Sequence, residues 1–358
     1  MRVRNVTTRL SVAQSWQWQT LFMRTTSLGS AGPPVSVLGL GCMGMSGMYG
    51  AADRGESIAT IHAALDAGIT LLDTGDFYGM GTNEMLVRDA LANRDRSNVV
   101  LSVKFGALRD PEGAFLGYDG RPNAVKNFLT YSLRRLGTDY IDIYRLSRVD
   151  PNVPIEETVG AIAELIARGY VRHVGLSEAG AETIRRANAT HPICDLQIEY
   201  SLFSRGIERA ILPTTRALGI SITAYGVLAR GLLSGSWTGK ATGPRDIRAN
   251  HPRFTGENLA RNLALVDALR SIASEKGATV AQLAIAWVAS RGEDIVPLIG
   301  SRRRPQLAEA LGALDVRLSR EDLARIEHAV PPLAAAGDRY PTPLMKHLDS
   351  ERDASAHG

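Results

Sequence analysis

The chain has 358 residues, of which 44% are hydrophobic and 22% are charged, and its formal net charge is +4. This is an ordinary globular profile, long enough for one large α/β domain. The only tight basic cluster is Arg302, Arg303 and Arg304, so we expect no nucleic-acid partner. The two cysteines lie far apart, so we expect no disulfide framework or metal site. No stretch approaches about 18 apolar residues, so we expect no membrane span.

Residues 1–22 contain three arginines, several serines and threonines, and no acidic residue. A transit peptide has such a composition, but Met23 stands just before the patterned part of the chain. We therefore interpret residues 1–22 as a disordered extension or a start codon assigned too far upstream. One domain is expected over residues 23–330, followed over residues 331–358 by a polar C-terminal tail that is mobile toward its end.

Apolar segments recur at the spacing of a strand followed by a helix. Strands are predicted at residues 35–40, 69–73, 99–104, 141–146, 171–176, 196–198, 220–225 and 295–299. Helices are predicted at residues 53–67, 83–92, 123–136, 259–276, 280–290, 305–314 and 319–330, with one more opened by Pro154 and one containing Ile184. Residues 110–121 and 232–252 are predicted loops.

Eight strands that mostly alternate with helices favour an α/β fold of the (β/α)8 TIM barrel type, with the last helix packed outside. An open doubly wound sheet is the alternative. It is disfavoured because no G-x-G-x-x-G segment opens a helix after a strand.

Three polar residues follow neighbouring strands. Asp73 ends the second strand, Tyr78 comes five residues later, and Lys104 ends the third strand. A nearby ammonium group lowers the pKa of a tyrosine, and a carboxylate can hold the lysine in place, so Tyr78 is predicted to exchange a proton with an oxygen near neutral pH. The structural alternative makes Asp73 a turn cap, Tyr78 a half-buried aromatic and Lys104 a solvated cation.

The D-T-x-x-x-Y-G segment at residues 73–79 and the strand-end Lys104 resemble the aldo-keto reductase family. The G-L-G-C-M-G-M-S segment at residues 39–46 is similar to its bacterial branch, and the resemblance covers residues 25–318. It implies a (β/α)8 barrel that reduces carbonyl compounds with a nicotinamide cofactor. Tyr78, Lys104 and Asp73 would occupy its catalytic positions.

The family's catalytic histidine lies in a segment of the form Y-x-x-H-R-x-D-P, and here Ser147 takes that position. A serine hydroxyl can donate a hydrogen bond to a carbonyl oxygen, but it is shorter and does not titrate near neutral pH. Two interpretations stay open. Either Ser147 takes over part of the histidine's role, or it is a filler and Arg145 or Arg148 orients the substrate.

The resemblance also implies a cofactor site. Ser177 and Gln197 would hold the nicotinamide carboxamide, Tyr225 would stack on its ring, and Arg302 would grip a 2′-phosphate near the start of a helix. Two positions depart from the family, because Glu178 and Ala310 replace its usual asparagines. The remaining implied contacts come from Gly41, Cys42, Met43, Asp73, Gly226, Val227, Leu228, Arg230, Gly300, Gln306 and Glu309.

The sequence thus predicts a cytoplasmic NADPH-dependent reductase of aldehydes or ketones. One alternative is an NADPH-binding sensor or regulatory subunit with little turnover, and another is an aldolase that uses Lys104 as a Schiff-base nucleophile. The loops at residues 45–49, 110–121 and 236–253 contain no evident charged anchor, which indicates an apolar, tolerant pocket. The physiological direction and the oligomeric state are left open.

Overall fold

The structure is a computed structural model that describes residues 23–235, 237 and 246–352. The predicted N-terminal extension, most of the loop after residue 235 and residues 353–358 lie outside the described residues. Within the described ranges, no helix is long and apolar enough to cross a membrane.

A closed barrel of eight parallel strands forms the centre of the described structure, in the spatial order β10-β11-β12-β3-β4-β5-β8-β9. The strands, numbered in chain order, are β1 Thr25–Ser27, β2 Pro34–Ser36, β3 Gly39–Gly41, β4 Leu71–Gly75, β5 Val100–Phe105, β6 Ala107–Arg109, β7 Phe115–Tyr118, β8 Ile141–Leu146, β9 Val171–Ser177, β10 Ile193–Glu199, β11 Ser221–Tyr225 and β12 Ile295–Gly300. The predicted (β/α)8 barrel is confirmed and the open sheet is excluded, because β12 pairs with β3 and closes the ring.

Helices cover the outside of the barrel. They are α1 Arg54–Asp66, α2 Thr82–Leu91, α3 Pro122–Leu136, α4 Ile155–Ala167, α5 Ala181–Thr190, α6 Ile211–Ala217, α7 Gly256–Glu275, α8 Val280–Ala289, α9 Arg304–Leu311, α10 Arg320–Ala329 and α11 Thr342–Met345. The predicted cap of the first helix is present, since the Asp53 side chain accepts a hydrogen bond from the Glu56 N–H at 2.6 Å. The extra outer helix predicted after the eighth strand is α10.

The single strand predicted at residues 35–40 is wrong, because the chain changes direction inside it. Residues 34–36 pair antiparallel with 25–27 in a two-stranded sheet, whereas residues 39–41 pair parallel with β12 and β4. The Ser36 hydroxyl donates to the Leu38 carbonyl at 2.6 Å and supports this break. Only the second half of the apolar run therefore enters the barrel.

The loop predicted at residues 110–121 holds the turn and the second strand of a β-hairpin, in which β7 pairs with β6 just before the loop. Asp110 accepts a hydrogen bond from the Ala114 N–H at 2.6 Å, and Gly113 adopts a left-handed φ of +86°. These two features turn the chain back on itself. The hairpin follows β5 directly, so it lies at the end of the barrel that carries Lys104.

The described part of the predicted tail folds back onto the barrel. Asn262 exchanges two hydrogen bonds with the backbone of Ala336, at 2.8 and 3.0 Å, and Asp349 accepts from the Gly180 N–H at 2.8 Å. Residues 348–350 are buried. Residue 330 therefore does not mark the end of the packed chain, and the returning segment reaches the carboxyl ends of the strands.

Candidate active site

Asp73 is the centre of a buried cluster inside the barrel. Its Oδ1 accepts hydrogen bonds from Ser102 Oγ at 2.9 Å and Gln197 Nε2 at 2.7 Å, and its Oδ2 forms an ion pair with Lys104 Nζ. Parallel pairing of β4 with β5 brings these groups together, since Asp73 lies opposite Ser102 and Gly75 opposite Lys104. The predicted proximity of Asp73, Lys104 and Gln197 is thus observed.

Tyr78 lies on the turn that follows β4 and is 6% exposed. Lys104 Nζ is 5.1 Å from the centre of its ring. The structure therefore brings the predicted phenol, ammonium and carboxylate into one place, and Lys104 is buried rather than solvated as the structural alternative expected.

The expected lowering of the Tyr78 pKa does not occur. Burial, followed by the Asp73 carboxylate, raises the pKa of Tyr78 well above its ordinary value, and Arg148 opposes this shift. The Lys104 ammonium is paired with the same Asp73 carboxylate at close range. Burial lowers the pKa of Lys104, and the same carboxylate opposes that change. Tyr78 is thus a protonated phenol, suited to donate a proton rather than to accept one.

A second buried network lies deeper in the barrel, and sequence reasoning did not find it. Arg145 is fully buried, and its guanidinium donates to Asp195 Oδ2 at 2.9 Å and to Ser102 Oγ at 3.0 Å. Thr223 donates to the same Asp195 carboxylate. A sequence signal exists, because polar residues two apart on one strand face the same side. Ser102 and Lys104 on β5 follow this spacing, as do Asp195 and Gln197 on β10.

Ser147 follows β8 and is 2% exposed. Its N–H donates to the Phe105 carbonyl at 2.8 Å, whereas its hydroxyl has no hydrogen-bond partner among the described residues. A buried hydroxyl without a partner is unfavourable. The histidine position of the family thus holds an unsatisfied hydrogen-bonding group next to the strand that carries Lys104.

Glu178, at the position of the family's asparagine, is the anchor of the returning C-terminal segment. Its carboxylate is fully buried, accepts from Arg339 Nη1 at 2.9 Å and from the Tyr225 hydroxyl at 2.6 Å, and its backbone has a left-handed φ of +55°. Burial acts to raise the pKa of Glu178, but Arg339 outweighs it, and the pKa lies below its usual range. Sequence reasoning missed Arg339 because it lies 161 residues away along the chain.

Tyr340 reaches into the predicted cofactor region. Its hydroxyl lies 2.8 Å from the Tyr225 hydroxyl, and the Arg230 guanidinium lies 4.4 Å from the centre of its ring. Arg230 also pairs with the buried Glu199 at 3.0 Å. Two residues that the resemblance assigned to the nicotinamide and the pyrophosphate are thus bridged by a side chain from the C-terminal segment.

The turn after β11 has the backbone freedom expected of a phosphate-binding loop. Gly226, Ala229, Arg230 and Gly231 all have left-handed φ values, between +46° and +103°. A Cβ on Gly226 would lie 3.1 Å from Glu199 Cγ, a tight contact, so a side chain there would crowd the loop. Val227 is buried and Leu228 half-buried. The cofactor contacts that the resemblance implied for Val227 and Leu228 stay predictions.

Arg302 lies beyond β12, where its guanidinium donates to the carbonyls of Tyr49, Gly50 and Ala51 at 3.0 to 3.3 Å. Burial, followed by the charges of Arg303 and Arg248, lowers the pKa of Arg302. An anion at this position would relieve that repulsion.

The other predicted residues of the adenosine end lie nearby. The Gln306 side chain accepts from the Arg302 N–H at 3.2 Å, the Glu309 carbonyl accepts from Gln282 at 3.1 Å, and Gly300 is exposed with open space beside it. The first contact joins α9 to the turn after β12, and the second joins α9 to α8.

Cys42 and its neighbours shape the wall next to Asp73. The Cys42 N–H donates to the Asp73 carbonyl at 2.9 Å, and its own carbonyl accepts from Asn83 at 2.9 Å. Burial raises the pKa of the Cys42 thiol to about 12, so it is not a nucleophile at neutral pH. Gly41 and Met43 flank it and are half-buried.

A closed parallel barrel with an acid, a lysine and a tyrosine at its carboxyl end is typical of enzymes that act on small molecules. The sequence model of the aldo/keto reductase family matches residues 37–331. A protein described as probable aldo-keto reductase 1 from Glycine max is 42% identical over 319 residues, which are 89% of this chain and 92% of that protein.

Two solved structures are similar as well. A glycerol dehydrogenase from Gluconobacter oxydans is 29% identical, with a TM-score of 0.78 and coverage of 91% of this chain and 96% of that one. A thermostable aldo-keto reductase in complex with the inhibitor epalrestat is 25% identical, with a TM-score of 0.68 and coverage of 86% and 100%. The chain belongs to the aldo-keto reductase family and is an oxidoreductase of the type that reduces carbonyl groups.

Proposed function

We propose that this protein is a cytoplasmic reductase that uses NADPH to convert an aldehyde or ketone to an alcohol, with Tyr78 as the proton donor. The observation that carries the proposal is the buried Asp73–Lys104 ion pair packed against the Tyr78 ring at 5.1 Å. The aldolase alternative needs a Lys104 free of carboxylates, and the ion pair speaks against it.

The reaction needs a hydride at the carbonyl carbon and a proton at the carbonyl oxygen. When bound, NADPH supplies the hydride from its nicotinamide ring. Tyr78 gives its hydroxyl proton to the oxygen as the C=O bond becomes a C–O single bond, and water then restores that proton. Asp73 holds the Lys104 ammonium beneath the ring, where a fixed positive charge stabilises the phenolate that forms.

The residues present fit a dinucleotide. The left-handed loop at residues 226–231 exposes backbone next to Arg230, and Gly226 leaves no room for a side chain. At the other end, the charges of Arg303 and Arg248 repel the charge of Arg302, so the negative charge of a 2′-phosphate would be stabilised there. This cationic cluster supports NADPH rather than NADH as the cofactor.

One feature favours a second candidate, an NADPH-binding sensor with little turnover. Ser147 stands where the family has a histidine, and its hydroxyl does not titrate near neutral pH. The two candidates differ in one measurable quantity, the rate of NADPH oxidation when carbonyl compounds are added.

The test is the rate of NADPH consumption with a panel of aldehydes, ketones and sugars, for the wild type and for Tyr78→Phe. We expect the variant to lose about 10²–10⁴-fold in kcat with little change in NADPH affinity, because the hydroxyl acts on the substrate oxygen. Tyr131→Phe is the matched control, since Tyr131 is 53% exposed on α3. A Tyr78→Phe rate within about twofold of wild type would refute the assignment. NADPH binding without turnover by the wild type would favour the sensor.

A further inference from the structure

The cations of the site differ in whether they have an acidic partner. Four are paired with carboxylates: Lys104 with Asp73, Arg145 with Asp195, Arg230 with Glu199, and Arg339 with Glu178. Arg148 forms no ion pair within the part of the chain that the structure describes. It is half-buried, and a partly desolvated charge without a counter-ion favours the binding of an anion.

The hydrogen bonds of Arg148 also leave room for a ligand. Its Nη1 donates to the Ser147 carbonyl at 2.6 Å and, at the limit of a hydrogen bond, to Ser177 Oγ at 3.5 Å, while Nη2 donates to the Tyr340 hydroxyl at 3.3 Å. The last two are long contacts to neutral hydroxyls. Oxygens of a carboxylate would make shorter, charge-assisted bonds and would displace them.

Glu178 does not serve as the counter-ion. It stabilises the charge of Arg148 only from beyond ion-pair distance. Its oxygens already accept hydrogen bonds from Arg339, Tyr225 and Ser350. An anion that forms an ion pair with Arg148 therefore comes from outside the described chain.

The position of Arg148 indicates which molecule supplies that anion. Its guanidinium contacts Ser177 and Tyr340 and acts on Tyr78, where it opposes the rise of the phenol pKa. These neighbours surround the proposed reaction centre, whereas the basic groups proposed for the cofactor phosphates are Arg230 and Arg302. The nicotinamide end of the cofactor carries a neutral carboxamide, whereas a substrate at this position can carry a carboxylate.

We propose that Arg148 is a specificity-determining residue that binds a carboxylate on the substrate, so that the preferred substrates are aldehydes or ketones bearing a carboxylate near the carbonyl. This inference rests on the proposed function. Two arginines lie near Ser147 in the sequence. Arg145 is already paired with Asp195, so Arg148 is the one that can bind the substrate. The loop residues had indicated an apolar, tolerant pocket. In this proposal the pocket instead contains one cation that fixes the substrate by its carboxylate.

The experiment compares 2-, 3- and 4-carboxybenzaldehyde with their methyl esters, because each pair differs mainly in the charge of one group. We expect the wild type to prefer at least one acid over its ester. Arg148→Met should lower kcat/KM for that acid about 10–100-fold more than for its ester, mainly through KM. Arg148→Lys should recover part of the loss, because it keeps the charge without the planar fork. Arg134→Met, exposed on α3, is the control and should change neither value by more than about twofold.

A second measurement does not depend on turnover. With NADPH present, 4-(hydroxymethyl)benzoate should raise the melting temperature of the wild type and not that of Arg148→Met. An equal loss on acids and esters would overturn the inference, because Arg148 would then act through the cofactor or Tyr78. Reduction of esters with no preference for any acid would also overturn it while leaving the proposed function intact. Arg148-dependent stabilisation by the acid, without NADPH oxidation by any aldehyde, would support the anion site and refute the proposed function.

Discussion

At the scale of single residues, the electrostatic role of each group depends on what it is already paired with. Lys104 is near Tyr78 and paired with Asp73, yet the pKa of Tyr78 is raised, because burial and the Asp73 carboxylate outweigh the nearby positive charges. A raised pKa keeps the phenol protonated at and above neutral pH, which is the form needed to reduce a carbonyl. Oxidation of an alcohol needs the phenolate, which the same burial disfavours.

Arg302 allows a test of cofactor choice at this scale. We expect Arg302→Ala to weaken NADPH by about 10–150-fold and NADH much less, because a charge-assisted contact to the 2′-phosphate would be lost. The measurement is the dissociation constant of each cofactor from quenching of protein fluorescence.

Arg304→Ala is the matched control, since Arg304 is an exposed neighbour paired with Glu56. Removal of Arg302 also frees the carbonyls of residues 49–51, which would loosen that loop for both cofactors alike. Equal weakening of NADPH and NADH would mean that this loop contact, and not a phosphate, is the role of Arg302.

At the scale of elements, the connection between β4 and α2 brings a second acidic residue close to the site. The Asp76 N–H donates to the Lys104 carbonyl at 2.9 Å, and the residue is 8% exposed. Burial, followed by the charge of Glu84 on α2, raises the pKa of Asp76 to about 7. This connection therefore contains a carboxyl group that changes charge near physiological pH.

A folded-state pKa above the unfolded value means that the folded chain binds more protons between about pH 4 and 7. Stability contributed by Asp76 is thus complete at low pH and is lost as the pH rises through about 7. We expect Asp76→Asn to remove this loss. Its melting temperature should exceed that of the wild type by about 2 °C or more at pH 8 and by less at pH 5. A shift of this size corresponds to about 1 kcal/mol in the free energy of unfolding.

The control for this series is Asp139→Asn, an exposed position after α3. Thermal melts at intervals from pH 5 to pH 8 give the comparison. A constant difference between Asp76→Asn and the wild type over that range would show that Asp76 does not titrate there.

At the scale of the whole molecule, the C-terminal segment joins the two sides of the barrel opening. The His251 ring nitrogen Nε2 hydrogen-bonds the Arg339 carbonyl at 2.8 Å, and the Arg253 guanidinium donates to the Gly337 carbonyl at 3.1 Å. These hydrogen bonds hold the segment in place. Within it, Arg339 pairs with Glu178, and the Tyr340 hydroxyl lies next to the Tyr225 hydroxyl. The end of the chain thus forms part of the site wall.

The Glu178–Arg339 pair permits a test of this role. Arg339→Met would leave a buried carboxylate unpaired, and we expect a loss of about 3–5 kcal/mol in the free energy of unfolding. Glu178→Gln combined with Arg339→Met should be less destabilised than Arg339→Met, because residue 178 then carries no unpaired charge. Denaturant melts at pH 7 measure all three proteins. A double variant as unstable as the single one would mean that lost packing, and not an unpaired charge, accounts for the effect.

Much of this architecture follows from the sequence itself. Apolar segments at regular spacing, a cap at Asp53 and polar residues at strand ends are local features, and local features determine which segments become strands and helices. Because parallel strands bring their carboxyl ends to one face, the meeting of Asp73, Tyr78 and Lys104 could be predicted as well. The hairpin at residues 107–118 was missed although its turn is local, with the Asp110 side chain accepting a hydrogen bond from the Ala114 N–H.

Only the tertiary structure decided how the charges are paired, and that pairing determines what the site can do. Arg145 and Arg148 are three residues apart and alike in sequence. One lies against Asp195 in the barrel interior, whereas the other lies beside Ser177 and pairs with no carboxylate of the described residues. Likewise, nothing local indicates that Arg339 meets Glu178. Electrostatic energy depends on distance and burial, and both are set by contacts between residues far apart in the chain.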